Sequence, residues 1–255
     1  MNKFDLVLSD LDGTLVLPEA HEISERVRDS IASLEVKGIN LCAVTGRTYD
    51  MAKNLLGVLG VTRPSIFCGG ASIQDPRTGE MLWSQSMDAG QVEQVVKILK
   101  PYNHVRAFGT DMSIAQPTPF DEVLGTQLEV FASVRLEDTP EVLDALSIVP
   151  GIAAHANRGP GGDMSMCGIQ VTHIEADKYH GTLALLKLVG VDSQHTFAIG
   201  DGDNDAPLFR IAHQSAAMGN ASDFLKGIAT YTVGTVHQDG FAEAMDNYVL
   251  FKDAK

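Results

Sequence analysis

The sequence predicts an α/β protein, a Rossmann-like parallel-sheet core domain interrupted by an inserted α+β domain. Three observations lead there. At both ends of the chain, short apolar runs alternate with helical patterns, which argues a parallel sheet covered by helices. In the middle the runs turn into strands of alternating pattern, as in a one-sided antiparallel sheet. The alternation then resumes near residue 177, so the ends form one domain, 1–80 with 177–255, around an insertion at 81–176.

Each element has a local reason. "FDLVLSD" (4–10) is short, apolar and ended by polar and glycine residues, the mark of a buried strand. A helix near 23–37 places Ile23, Val27, Ile31 and Leu34 at helical spacing, with Gly38 as its stop. "INLCAVTG" (39–46) is a second buried strand, 49–60 a second helix, and "PSIFCGG" (64–70) a third strand. Residues 71–85 read as a hairpin around Pro76-Arg77-Thr78-Gly79. The insertion carries a helix at 89–100, strand runs "VRAFG", "LEVFASVRL", "GIAAHAN" and "SMCGIQVTHI", and a helix after Thr139 with Pro140 in its first turn. Helix 178–189, strand 195–200, helix 204–211, strand "SAAMG", and helices 221–227 and 240–249 complete the core.

Composition bounds the function. The chain has 255 residues, is 44% hydrophobic and 20% charged, and carries a formal net charge of −14. Such a surface repels phosphate backbones and anionic lipid, so nucleic acid and membrane are excluded as expected partners, while a small anionic substrate is not, because a metal reverses the local sign. Cys42, Cys68 and Cys167 are odd in number, far apart and without zinc-ligand spacing; they read as buried thiols of a reducing compartment. "MNKFDLVLSD" is no signal peptide, and no run approaches the roughly 18 apolar residues of a membrane span. The expectation is a cytoplasmic protein, monomeric or a small homo-oligomer.

Four stations carry chemistry. Asp10-Leu11-Asp12-Gly13-Thr14 ends the first strand; period-two alternation makes both carboxylates lean the same way, where they repel unless something positive lies between them. Thr45-Gly46-Arg47 ends the second, with a hydroxyl and an open backbone for a phosphate oxygen. Lys178 stands in a first helical turn, opposing the helix dipole, which hints at a use other than stability. "GDGDND" crowds Asp201, Asp203 and Asp205 around Asn204 on a glycine-rich turn, a self-repelling set that a hard divalent cation would relieve. Taken singly, each has an ordinary reading: a turn, a helix cap, a solvated lysine, an acidic loop. Together they fall at the C-terminal ends of core strands or at helix starts beside them, where α/β sheets bind ligands.

In order and spacing these motifs resemble the haloacid dehalogenase-like phosphohydrolases, in particular their Cof-type group. The likeness runs over nearly all of residues 4–226 and includes "AAMGNA" (216–221). His180-Gly181 offers a rival alignment for the lysine motif, and Gly69-Gly70-Ala71 stands where the family often has Asn-Gly-Ala. The separation of 33 positions between Asp12 and Thr45 and of 133 between Thr45 and Lys178 puts the insertion where the Cof-type group has its cap. The resemblance implies a magnesium-dependent phosphatase of small phosphomonoesters, sugar phosphates or phosphoglycolate-like. It implies Asp10 as nucleophile and Asp12 as acid and then base. Thr45, Gly46 and Lys178 would bind the phosphate, and Mg²⁺ would be held by Asp10, the Asp12 carbonyl, Asp201 and Asp205. Thr14, Arg47 and Asn204 would orient the site. Selection among leaving groups would lie in the cap, with Arg158 of the loop "HANRGPGGDMSM" a candidate. A phosphotransferase on the same scaffold and a non-catalytic metabolite-binding protein are the alternatives.

Overall fold

The computed structural model describes residues 3–17, 23–102, 105–109, 125–158 and 164–250. Two compact units emerge, Met1–Leu82 with Lys178–Lys255, and Trp83–Asp177.

In chain order the first unit begins with β1 (Leu6–Ser9), α1 (Glu25–Val36), β2 (Asn40–Ala43), α2 (Tyr49–Leu59), β3 (Ser65–Phe67) and β4 (Ser72–Gln74), and β5 (Met81–Ser84) carries the chain across the boundary. The second holds α3 (Ala89–Leu99), β6 (Val105–Gly109), β7 (Gln127–Arg135), α4 (Thr139–Ser147), β8 (Ile152–Arg158) and β9 (Met166–His173). The first then resumes with α5 (Lys178–Val189), β10 (Thr196–Gly200), α6 (Ala206–Ile211), β11 (Gln214–Ala217), α7 (Asp223–Ile228), β12 (Tyr231–Thr232) and α8 (Gly240–Ala244).

The main sheet is parallel, in the order β12-β11-β10-β1-β2. Its inner strands are buried on both faces, which is why they read as continuous apolar runs. Helix starts are marked by Ser24, whose side chain accepts from the Val27 N–H, and by Thr48, which accepts from Met51. Val27, Ile31 and Leu34 form the buried stripe of α1, as their spacing requires.

Three details differ from the sequence reading. β3 does not extend the main sheet. It pairs antiparallel with β4 in a sheet of order β3-β4-β5 and touches β2's continuation through a single parallel bridge, Val44 to Ile66. Only three residues long, it runs straight into a 3-10 turn at Cys68–Gly70. The helix expected at 204–211 opens as a 3-10 turn, Asp203–Asp205, with Pro207 then starting α6. The last helix passes from α8 into a π turn at Met245–Val249.

The second unit is an antiparallel sheet of order β6-β7-β9-β8. One face packs under α3 and α4: Val130, Ala132, Val134, Ile169 and Val171 meet Val92, Val95, Leu99, Val142 and Leu146. Asp88 and Gln91 close a capping box at the start of α3.

Candidate active site

Beyond the strand ends of the first unit, five of the sequence-singled side chains converge. Asp10 follows β1, and its N–H still donates to the Ile199 carbonyl of β10 at 3.1 Å. Lys178, the first residue of α5 and only 3% exposed, donates to Asp10 Oδ1 at 2.7 Å and to Asp205 Oδ1 at 2.6 Å. Asp205 is wholly buried, and its other oxygen accepts from the N–H groups of Asp201 and Gly202, each at 3.0 Å. Thr14 donates to Asp201 Oδ1 at 3.2 Å. Carboxylate oxygens of Asp10, Asp201 and Asp205 lie within 4.8 Å of one another.

The local backbone explains how. After Asp10 the chain turns tightly, with the Leu11 carbonyl accepting from Leu15 and Val16. Gly13 sits at φ +77°, and a Cβ there would run into the Asp201 carboxylate, so glycine is required twice over. α5 is placed by Gly181, whose Cβ would lie 3.0 Å from the Gly70 carbonyl oxygen. The glycine of the rival His180-Gly181 alignment is thus a packing residue, and Lys178 is the side chain that reaches the site.

Electrostatics follow from crowding. Burial is the main force pushing the Asp10 carboxyl up to about 7; Asp205 and Asp201 add to it and Lys178 opposes it. Asp201 is pushed up to about 6, again by burial first and then by Asp205. Burial also works against the Lys178 charge, but its two carboxylate partners outweigh this and hold its pKa above the ordinary lysine value. One buried cation therefore faces three carboxylates, an oxygen-only donor set that a hard divalent cation would fit.

Asp10 and Asp12 do not lean together. The β1 ladder ends at Ser9, so strand alternation no longer governs Asp12, and each carboxylate has its own cation. Arg47 grips Asp12 with both nitrogens, Nε to Oδ2 at 2.9 Å and Nη2 to Oδ1 at 2.5 Å. Thr45 is buried at the end of β2, the strand beside β1; its oxygen accepts from the Arg47 N–H at 3.1 Å, leaving its O–H to donate. This loop is backed by the turn at 68–70, where Cys68 and Gly69 N–H groups donate to the carbonyls of Arg47 and Thr45 at 2.9 and 3.0 Å. Cys68 adopts φ +52° to do so, a strained conformation for a residue with a Cβ. A cleft of about 990 Å³ opens beside Asp12 and Arg47, walled by Met51, Asn54 and Leu55 of α2.

Other sequence-singled residues lie elsewhere. Asp203 is exposed and accepts from the Ser222 hydroxyl rather than joining the carboxylate group. Asn204 is exposed on the same turn, and Gly46 is exposed between Thr45 and Arg47. Arg158 ends β8, opposite Cys167, and loop residues 159–163 lie outside the described residues. One residue had no role assigned from sequence: Asn220 donates to the Gly13 carbonyl at 3.0 Å and to Asp201 Oδ2 at 2.9 Å, tying the first motif to the fourth. Its signal was the one shared by the others, a polar side chain just past a buried core strand.

A family model for haloacid dehalogenase-like hydrolases matches residues 7–143 and 163–245. The chain belongs to the haloacid dehalogenase-like hydrolases. Relatives along nearly its whole length are named as phosphatases, and the protein is an enzyme of that kind. A 5-amino-6-(5-phospho-D-ribitylamino)uracil phosphatase of Bacillus subtilis, YitU, is 27% identical over 95% of this chain and 97% of its own. A phosphoglycolate phosphatase of Methanopyrus kandleri is 24% identical over 93% and 94%. Among solved structures, TM0651 from Thermotoga maritima matches with a TM-score of 0.79 at 19% identity, covering 97% of this chain and 100% of that one. The subclass IIB sugar phosphatase BT4131 matches with a TM-score of 0.77 at 19% identity and the same coverage. Among the described residues no helix is long and apolar enough to cross a membrane.

Proposed function

We propose that this protein is a magnesium-dependent phosphatase of small phosphorylated metabolites, acting through an aspartyl-phosphate, with the inserted unit as its cap. The observation that carries the reading is the buried Lys178 bridging Asp10 and Asp205 inside a group of three carboxylates. No structural need accounts for such a set, because mutual repulsion and burial both work against it.

An Asp10 oxygen attacks phosphorus, an O–P bond forms, and the bond to the leaving oxygen breaks. Asp12 gives that oxygen a proton, then takes one from the water that hydrolyses the intermediate and returns Asp10 as a carboxylate. Arg47 presents Asp12 with both oxygens accepting, the form suited to the base step; the acid step needs one of those bonds released. Lys178 and the Thr45 hydroxyl stabilise the non-bridging oxygens by position and charge. Mg²⁺ would be held by Asp10, the Asp12 carbonyl and Asp201, with Asp205 oriented behind them by Lys178 and two backbone N–H groups, and would supply charge neutralisation at the phosphoryl oxygens. Thr14 and Asn220 fix Asp201.

The relatives' names span a phosphoribitylamino compound and phosphoglycolate, which supports a small phosphomonoester as substrate class. A cytoplasmic location is supported by Cys42, Cys68 and Cys167, all buried thiols. The test is phosphate release from p-nitrophenyl phosphate with Mg²⁺ and with chelator. The proposal expects metal-dependent turnover in the native chain and none in Asp10→Asn. Metal-independent turnover, or phosphate passed to an acceptor instead of released, would overturn it.

A further inference from the structure

Asn220 is held from three directions. Its amide nitrogen donates to the Gly13 carbonyl at 3.0 Å and to Asp201 Oδ2 at 2.9 Å, and its Oδ1 accepts from the Val236 N–H at 3.0 Å. A backbone N–H can only donate, so the Val236 bond decides which end of the amide is oxygen and turns both amide hydrogens toward Gly13 and Asp201. Asn220 is nevertheless exposed. Hydrogen bonds in contact with water add little stability, so the three-way hold is better explained by the pose it imposes.

The Val236 end of this tie is braced in turn. The Gly234 N–H donates to Glu243 Oε2 of α8 at 2.8 Å. The Gly234 carbonyl accepts from Gly219, the residue before Asn220, at 2.9 Å, and the Gly240 N–H donates to the Thr235 carbonyl at 3.0 Å. Thr235 and Gln238 close a capping box over the turn Val236–Gln238. The glycines are pressed together: a Cβ on Gly219 would lie 2.8 Å from the Thr235 nitrogen, and one on Gly240 would collide with the Gly234 carbonyl oxygen. Residues 234–236 therefore have one position against Asn220. Glu243 is half-buried and has no part in the catalytic scheme. A carboxylate suits the first turn of a helix in any case, but that preference does not account for its bond to Gly234.

We propose that Glu243 is a positioning residue of the metal site: it holds residues 234–236, which aim Asn220, which fixes Asp201 and the Gly13 turn where Mg²⁺ would be held. The inference rests on the phosphatase reading and adds to it a distal determinant of metal affinity. Groups that hydrogen-bond a metal ligand orient it, and their loss typically costs about 10- to 100-fold in affinity. A residue acting through an intermediate bond should cost less.

Mg²⁺ affinity is read without substrate, from the melting temperature of the full chain against Mg²⁺ concentration. Asn220→Ala should weaken Mg²⁺ by about 10-fold or more, and Glu243→Ala by about 3- to 10-fold. Glu243→Gln keeps an oxygen for the Gly234 N–H and should stay within about twofold of native. With p-nitrophenyl phosphate, Glu243→Ala should need more Mg²⁺ for half-maximal rate by the same factor, while kcat at saturating Mg²⁺ changes by no more than about twofold. Should Glu243→Ala not fold, Val236→Pro removes the N–H that Asn220 accepts, at the first residue of a 3-10 turn and after an extended Thr235, where proline fits; it should weaken Mg²⁺ by about 3- to 10-fold as well. A merely structural role would lower the melting temperature without Mg²⁺ and leave the Mg²⁺ dependence unmoved. That result, or an equal loss in Glu243→Gln and Glu243→Ala, overturns the inference and leaves the phosphatase reading standing. No Mg²⁺ response and no metal-dependent turnover in the native chain overturn both.

Discussion

Replacing Glu129 with glutamine should stabilise the protein, and only at higher pH. Burial raises the folded-state pKa from 4.5 to about 7. Below pH 4.5 the carboxyl is neutral in both folded and unfolded chains, so it exacts no penalty. Between there and pH 7 the unfolded chain ionises first, and stability falls; above pH 7 the loss is complete. The interval corresponds to about 3 kcal/mol. Glutamine does not titrate and keeps the volume, so the variant escapes this loss. The difference in unfolding free energy, variant minus native, should grow from near zero at pH 4.5 to about 3 kcal/mol at pH 8. Urea unfolding across that range measures it. Trp83, the one tryptophan of the chain, lies in β5 where the chain passes from the first unit to the second; two units make separate transitions a real prospect, so its fluorescence is followed together with far-ultraviolet circular dichroism, which reports both. A variant less stable at pH 8, or a difference indifferent to pH, would refute the picture of a buried carboxylate bonded, among the described residues, to Gln170 alone.

Other consequences are more direct. Mg²⁺ at 100 times its dissociation constant should add about 2.7 kcal/mol of stability by mass action, seen as a higher melting temperature, and Asp201→Ala should abolish that rise; an undiminished rise would place the metal elsewhere. Gly13→Ala combines φ +77° with a collision against Asp201 and should lower stability by about 1–3 kcal/mol and weaken the Mg²⁺ response, both read in the same melts. Arg47→Lys keeps the charge but loses the two-point grip on Asp12; kcat should fall at least about tenfold with the melting temperature little changed.

Much of this architecture was legible because the inner strands are buried on both faces and the helices have clear stops. The first, second and fourth motifs stood out for the same reason, since a polar residue straight after a continuous apolar run is conspicuous. What escaped was set by tertiary contact. The three residues of β3 cannot show which sheet they join. Strand periodicity made Asp10 and Asp12 lean the same way and share one positive neighbour, whereas the turn after Ser9 gives one to Lys178 and the other to Arg47. Asp203 looks like its neighbours in sequence, yet the 3-10 turn aims it at Ser222. Nothing in the run "LEVFASVRL" singles out Glu129, whose burial is set by the sheet around it.

The central claim is that Asp10 carries the phosphoryl group. Acid-quenching the native enzyme during turnover of p-nitrophenyl phosphate with Mg²⁺, followed by peptide mass spectrometry, tests it most directly. The account predicts one phosphoryl group on the peptide containing Asp10, absent in Asp10→Asn, which should also release no phosphate. Turnover with no phosphorylated peptide, together with undiminished phosphate release by Asp10→Asn, would contradict it.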